Sequence, residues 1–350
     1  MTLSPAARIQ RVSASLVYFA AIFSLSLTSM ARADTIEALR VIECGMDDEG
    51  RPAVVTGVAL SPDGQAVVAA CDDHLVRLWR MDSAQAGPRL AGHGDWIRTV
   101  AFSPDGQMFA SGSNDRTVCL WNAATGEKLS ETADLTQPVA GVSFHPNGQQ
   151  LAAVGFSNQL AIVNTSSGQI TQQLDCPSQD VRAVAFTRDG VRMAVAGRNG
   201  QIRIWSVATG ALERDIASSR QRIRAIAFSP DGQRLAAGGD DVMIHIIDVA
   251  GGGSDIALAA RPAKIYAAVF LDDNTLATAG SDDRIRVWDL TTRTVKHELI
   301  GHTGSVAALA CDATGTMLVS GGYDTTVRIW DLKTTAPQPA VARSTGEAVR

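Results

Sequence analysis

Six histidines and five cysteines are the side chains of this 350-residue chain best suited to hold a metal, carry a proton or act as a nucleophile. His93 and His302 fall at corresponding places in a repeat. The other four, His74, His145, His245 and His297, share no metal-ligand spacing, although a fold that returns on itself can bring distant positions together. The cysteines, Cys44, Cys71, Cys119, Cys176 and Cys311, are odd in number and include no Cys-x-x-Cys, so haem attachment and a thiolate metal site are unsupported. Cys71, Cys119 and Cys311 stand at strand positions and read as small buried apolar residues. Gly251-Gly252-Gly253 falls where a turn is due and no helix follows, which argues against a phosphate cradle. Asn164-Thr165-Ser166 fits a glycosylation acceptor but also lies in a turn.

The elements that carry these residues are short strands. From Gly92 to Asn122 the chain alternates at Thr99–Phe102, turns at Ser103-Pro104-Asp105-Gly106, alternates again at Met108–Ser111, turns at Ser113-Asn114-Asp115, and alternates at Val118–Trp121. That is an antiparallel meander with bare edges, and it needs neighbours. Its copies supply them. The Trp121 position recurs as Trp79, Val163, Trp205, Ile247, Trp288 and Trp330, at steps of 42 except one of 41, where Asp272-Asp273-Asn274 shortens a turn. The first apolar residue before each turn repeats in phase as Leu60, Phe102, Phe144, Phe186, Phe228, Phe270 and Cys311. A period of this length with four strands per unit means propeller blades.

In seven registers over residues 51–333 the chain resembles the WD-repeat β-propeller family. The resemblance implies an all-β fold: a seven-bladed propeller of four-stranded antiparallel blades, with an N-terminal strand closing the last blade. It also implies a hydrogen-bonded tetrad of loop His, strand Ser/Thr, hairpin Asp and slot Trp in each blade. Two sets are complete, His93, Ser111, Asp115 and Trp121 in blade two, and His302, Ser320, Asp324 and Trp330 in blade seven. Thr278, Asp282 and Trp288 lack only the His, which is Arg261. Blade three, with Ala153, Ser157 and Val163, and blade four, with Asn199, depart furthest and are expected to be softer. The closing strand is placed at Ile36–Ile42 within residues 34–50, because Pro337 and Pro339 spoil the C-terminal alternative. Alternation points Gly57, Thr99, Gly141, Ala183, Ala225, Ala267 and Ala308, with Ala59, Ala101, Ser143, Ala185, Ala227, Val269 and Ala310, into the channel. None of these can ionise, so no catalytic residue, metal ligand or cofactor is assigned.

Residues 1–33 differ in kind. Arg8 and Arg11 precede an uncharged stretch, Leu16–Leu27, and then Ala31-Arg32-Ala33, the layout of a signal peptide cut after Ala33. Val12–Ala31 also has the ~20 residues that an uncleaved anchor needs. Cleavage removes three arginines and no acid, moving the net charge from −5 to −8, with no membrane span left. An acidic body argues against nucleic-acid partners. A periplasmic or secreted location is expected, with residues 334–350 as a loose, proline-containing tail.

In the mature chain, Trp96, Phe156, Tyr266 and Tyr323 are the aromatics with no repeat slot to fill. In the resembled family, partner contacts concentrate at the third and fifth residues after the loop His and at the residue before the hairpin Asp. In this chain those columns hold all four aromatics, together with Arg98, Arg182, Arg198, Arg222, Arg224 and Lys264. Asp180 and Asp240 offset part of that charge. Aromatics and arginines on one face make binding hot spots, and a basic sector on an acidic body points to a protein or peptide with an acidic or carboxylate-bearing segment. The reading is therefore a non-catalytic binding scaffold of the cell envelope. A propeller hydrolase or lactonase, or a structural envelope subunit, are the alternatives, and a stoichiometric bound metal would favour the enzyme. If the leader is a signal, the intact mass of exported protein corresponds to a chain starting at Asp34; residues 1–33 still attached after export would refute it.

Overall fold

The computed structural model describes residues 33–333 apart from 48, 84–86, 133–134, 177–179 and 261–262. The leader, all but its Ala33, and the tail at 334–350 lie outside the described residues. Seven antiparallel sheets follow one another along the chain, as the repeats predict. Blade two shows the pattern: strands Ile97–Phe102, Met108–Ser113, Val118–Asn122 and Lys128–Glu131, ordered from the innermost outward. The Ser-Pro-Asp-Gly turn closes on itself, because Ser103 Oγ and the Gln107 N–H both donate to Asp105 Oδ1, at 2.6 and 3.0 Å. In blade six Asp272 pairs with Thr275 and leaves a two-residue turn, the cause of the 41-residue step.

The core lies between blades. One cluster joins Val68, Leu78 and Leu90 of blade one to Val100, Phe109 and Trp121 of blade two, and Trp121 is 1% exposed. Phe109 stacks on Trp121 with ring centroids 6.0 Å apart. Each sheet thus buries both faces only because a neighbour stands on each side.

The ring closes through the N-terminal chain, by a route that differs from the expected single strand. Arg40–Glu43 is the outer strand of blade seven, antiparallel to Thr326–Asp331, with Ile42 opposite Val327. Asp34–Glu37 instead adds to blade six, parallel to Thr294–Ile300, as a fifth strand. Ile36 and Ile42 are both buried, one in each blade, and the chain crosses from blade to blade at Ala38–Leu39. Continuous alternation hid that crossing.

Both complete tetrads are hydrogen-bonded. His93 Nδ1 meets Asp115 Oδ2 at 2.8 Å and its Nε2 meets Ser111 Oγ at 2.7 Å, while Trp121 Nε1 donates to Ser111 Oγ at 2.8 Å. The matching distances for His302, Asp324, Ser320 and Trp330 are 2.9, 2.7 and 2.9 Å. With neutral histidines each set is a chain from Trp to Ser to His to Asp, and burial pushes the His93 pKa down, against the pull of Asp115. In blade six Trp288 Nε1 donates to Thr278 Oγ1 at 2.8 Å.

Elsewhere the side chain four residues on takes the hairpin Asp: Arg77 Nη1 meets Asp73 at 2.9 Å, His245 Nε2 meets Asp241 at 2.8 Å, and Arg286 Nη2 meets Asp282 at 2.8 Å. Blade three has Leu135, Ala153, Ser157 and Val163 at the four tetrad positions, and a cavity of about 30 Å³ lined by the first three occupies the space.

Two measurements follow. Deleting residues 34–38 removes the fifth strand of blade six, whereas deleting 34–43 also leaves the outer edge of Thr326–Asp331 unpaired, so the longer deletion should lower Tm clearly more; equal losses would mean that Arg40–Glu43 does not close the ring. Although burial opposes its charge, hydrogen bonds from His302, the Thr303 N–H and Thr326 hold the Asp324 carboxyl well below its ordinary value of 3.8. A depressed carboxyl stabilises the fold fully above that value, and the stabilisation is lost as pH falls below it. Asp324→Asn should therefore lower Tm at neutral pH and flatten the fall in Tm between about pH 4 and 2; an unchanged slope would count against the tetrad.

Candidate functional site

Every inner strand begins with a register shift. In blade two Ile97 pairs with Ser113 and Thr99 with Gly112, so Arg98 is an extra, bulged residue. The same shift leaves out Thr56, Ala140, Arg182, Arg224, Tyr266 and Ala307 in the other blades. A bulge re-aims a side chain that strict alternation would send into the blade. Close backbone approach makes this possible: a Cβ on Gly239, the partner of Ile223, would sit 1.9 Å from Arg222 O.

The seven bulged residues ring the mouth of the channel, and with Tyr323 they line a cavity of about 410 Å³. Beneath them lies the small-residue layer from Gly57 to Ala308. Its size is forced by the neighbouring blades, since a Cβ on Gly141 would come within 3.0 Å of Arg182 O. The mouth is polar and cationic, and the layer below offers no ionisable group.

Guanidinium groups and aromatic rings hold one another around this mouth. Phe156, half-buried in blade three, lies between two arginines, with Arg98 Cζ 5.2 Å and Arg182 Cζ 4.0 Å from its centroid. Arg98 Nε also donates to Asn114 Oδ1. Arg224 Cζ lies 5.2 Å from the centroid of Tyr266. Two carboxylates pin the basic sector. Asp180, buried and in left-handed backbone (φ 59°), takes Arg182 and, at 3.0 Å, Arg222 of the next blade. Asp240 accepts from Arg224 Nε at 2.7 Å and has Lys264 Nζ at 3.9 Å. Burial works against the Asp240 charge, but the bonds and charge from Arg224 prevail and its pKa is lowered. Paired in this way, the arginines are oriented before any partner arrives, and a guanidinium fork suits a carboxylate.

The residues picked from sequence therefore separate. Arg98, Arg182, Arg224, Tyr266 and Tyr323 line the cavity, while Phe156 braces two of these arginines. Arg222 and Lys264 sit behind, on the two aspartates. Arg198 is exposed, and its backbone N–H donates to Asp180 O at 3.2 Å. Trp96, 49% exposed, stands apart with no ring contact to the other aromatics among the described residues. Sequence reasoning missed Asn114 as a partner and treated Asp180 and Asp240 as charges to subtract. Both aspartates stand in the same register columns as the arginines, and that was the available signal. Among the described residues no group of three or more His, Cys, Asp or Glu is placed to hold a metal.

A family model described as IFT122 first beta-propeller matches residues 54–256, and one described as WD domain, G-beta repeat matches residues 259–289 and 293–331. A search of curated proteins found no match. The first model spans more than half of the chain, the second continues to the last strand of blade seven, and the chain folds as seven four-stranded blades with two hydrogen-bonded His-Ser-Asp-Trp sets: this chain belongs to the WD-repeat β-propeller family.

Proposed function

We propose that this propeller is a non-catalytic scaffold of the cell envelope that holds an acidic or carboxylate-bearing segment of a protein or peptide over the channel mouth. WD-repeat propellers generally bind proteins and are typically non-catalytic. The observation that carries the reading is the braced set of Arg98, Arg182 and Arg224 lining one cavity in a chain whose overall charge is negative. Four cations share two carboxylates in the sector beside it, so a net positive field remains for an anionic partner. Tyr266, Tyr323 and Trp96 add aromatic surface on which a partner's chain can lie. The leader at 1–33 and the acidic mature charge support the envelope setting.

The test is a peptide array in which Asp/Glu-rich sequences are compared with neutral and basic ones. Trp96→Ala and Phe156→Ala should each weaken retention of acidic peptides roughly tenfold or more at any salt, since losing an anchor costs ~2 kcal/mol. Arg198→Glu combined with Lys264→Ala should weaken it mainly at low ionic strength. Equal retention of neutral peptides, or full binding by all three variants, would remove this face as the site.

A further inference from the structure

Cys44 and Cys71 meet in the seam between blades one and seven. Cys44 follows the closing strand directly, and its N–H donates to Thr325 O of blade seven at 3.1 Å. Cys71 ends the second strand of blade one, Ala66–Cys71, opposite Val55. Both belong to one apolar cluster with Val55, Val327 and Ile329, and both are free and buried, with Cys44 the neighbour that does most to push the Cys71 thiol up. The buried guanidinium of Arg77 lies alongside, its Nε donating to Cys44 O at 2.7 Å. Of the remaining thiols, Cys119 lies near Gly92 O and Cys311 near Phe270 O.

We propose that Cys44 and Cys71 form a dithiol site that a small disulfide of the oxidised-glutathione class converts to an internal disulfide, fixing the closing strand to blade one. The Cys44 thiolate attacks one glutathione sulfur, forming a mixed disulfide and releasing one glutathione. Cys71, deprotonated in turn, attacks the Cys44 sulfur, forms the internal bond and releases the second glutathione. The protein gives up two protons and two electrons, and they leave as two glutathione thiols. The neighbouring Cys44 and then burial push the Cys71 thiol well up, so exchange in the folded state is slow and quickens with pH. The link closes the loop of residues 44–71, which contains the inner two strands of blade one.

The full chain is purified with its thiols reduced and treated with oxidised glutathione, both folded and during refolding, and the linkages are mapped by mass spectrometry. A loss of two hydrogens confined to a 44–71 link is expected, with Cys119, Cys176 and Cys311 left free. Tm should rise by roughly 5 °C over the reduced protein, a gain absent from Cys44→Ser and from Cys71→Ala, the second chosen to keep the buried site apolar. Glutathione adducts without the internal bond, a link to another cysteine, or a 44–71 link that leaves Tm unchanged would overturn the proposal.

Discussion

A four-stranded blade buries both of its faces only when another blade stands on each side, and this requirement shapes the rest of the molecule. Seven copies satisfy it for one another, but the first and last must also meet, and the chain spends its N-terminal segment on that junction. Arg40–Glu43 supplies the outer strand that blade seven lacks, and Asp34–Glu37 runs on to the edge of blade six. Closure brings the inner strands close around the axis. There the contact between one blade's backbone and the next, as at Gly141 against Arg182 O, permits only small side chains.

Within that frame the blades solve one local problem in different ways. Each hairpin Asp needs a partner. Blades two and seven give it a buried histidine that is relayed through Ser111 or Ser320 to a tryptophan. Blades one, five and six give it a partner on the next strand, Arg77, His245 or Arg286. Blade three has given up the problem along with the aspartate, leaving a small cavity in its place. A fully satisfied polar network rigidifies a blade, and a partly replaced one does so less.

Fold class was legible because the 42-residue period fixes blade count, and the two complete tetrads because the family resemblance carries over by register onto His93 and His302. The single short step at Asp272-Asp273-Asn274 even located a tighter turn, and pairing of Asp272 with Thr275 produces it. Two features were not legible. The division of Ile36–Ile42 between two blades depends on which neighbour each isoleucine meets, and alternation reads the same either way. The bulge at Arg98, Arg182 and Arg224 breaks period two at a single residue, and only the pairing partners reveal it. Strict alternation therefore left the cavity lining to be inferred from family register, and it gave no hint that Phe156 sits between Arg98 and Arg182.

Hydrogen–deuterium exchange of the protein with and without a bound acidic peptide tests the proposed use of this face most directly, because it reports each backbone segment separately. Protection should appear at the starts of the inner strands, near Arg98, Arg182 and Arg224, and at the hairpins carrying Phe156 and Tyr323. Protection at the opposite turns, around Asp105 and Asp231, or along the outer strands would contradict it.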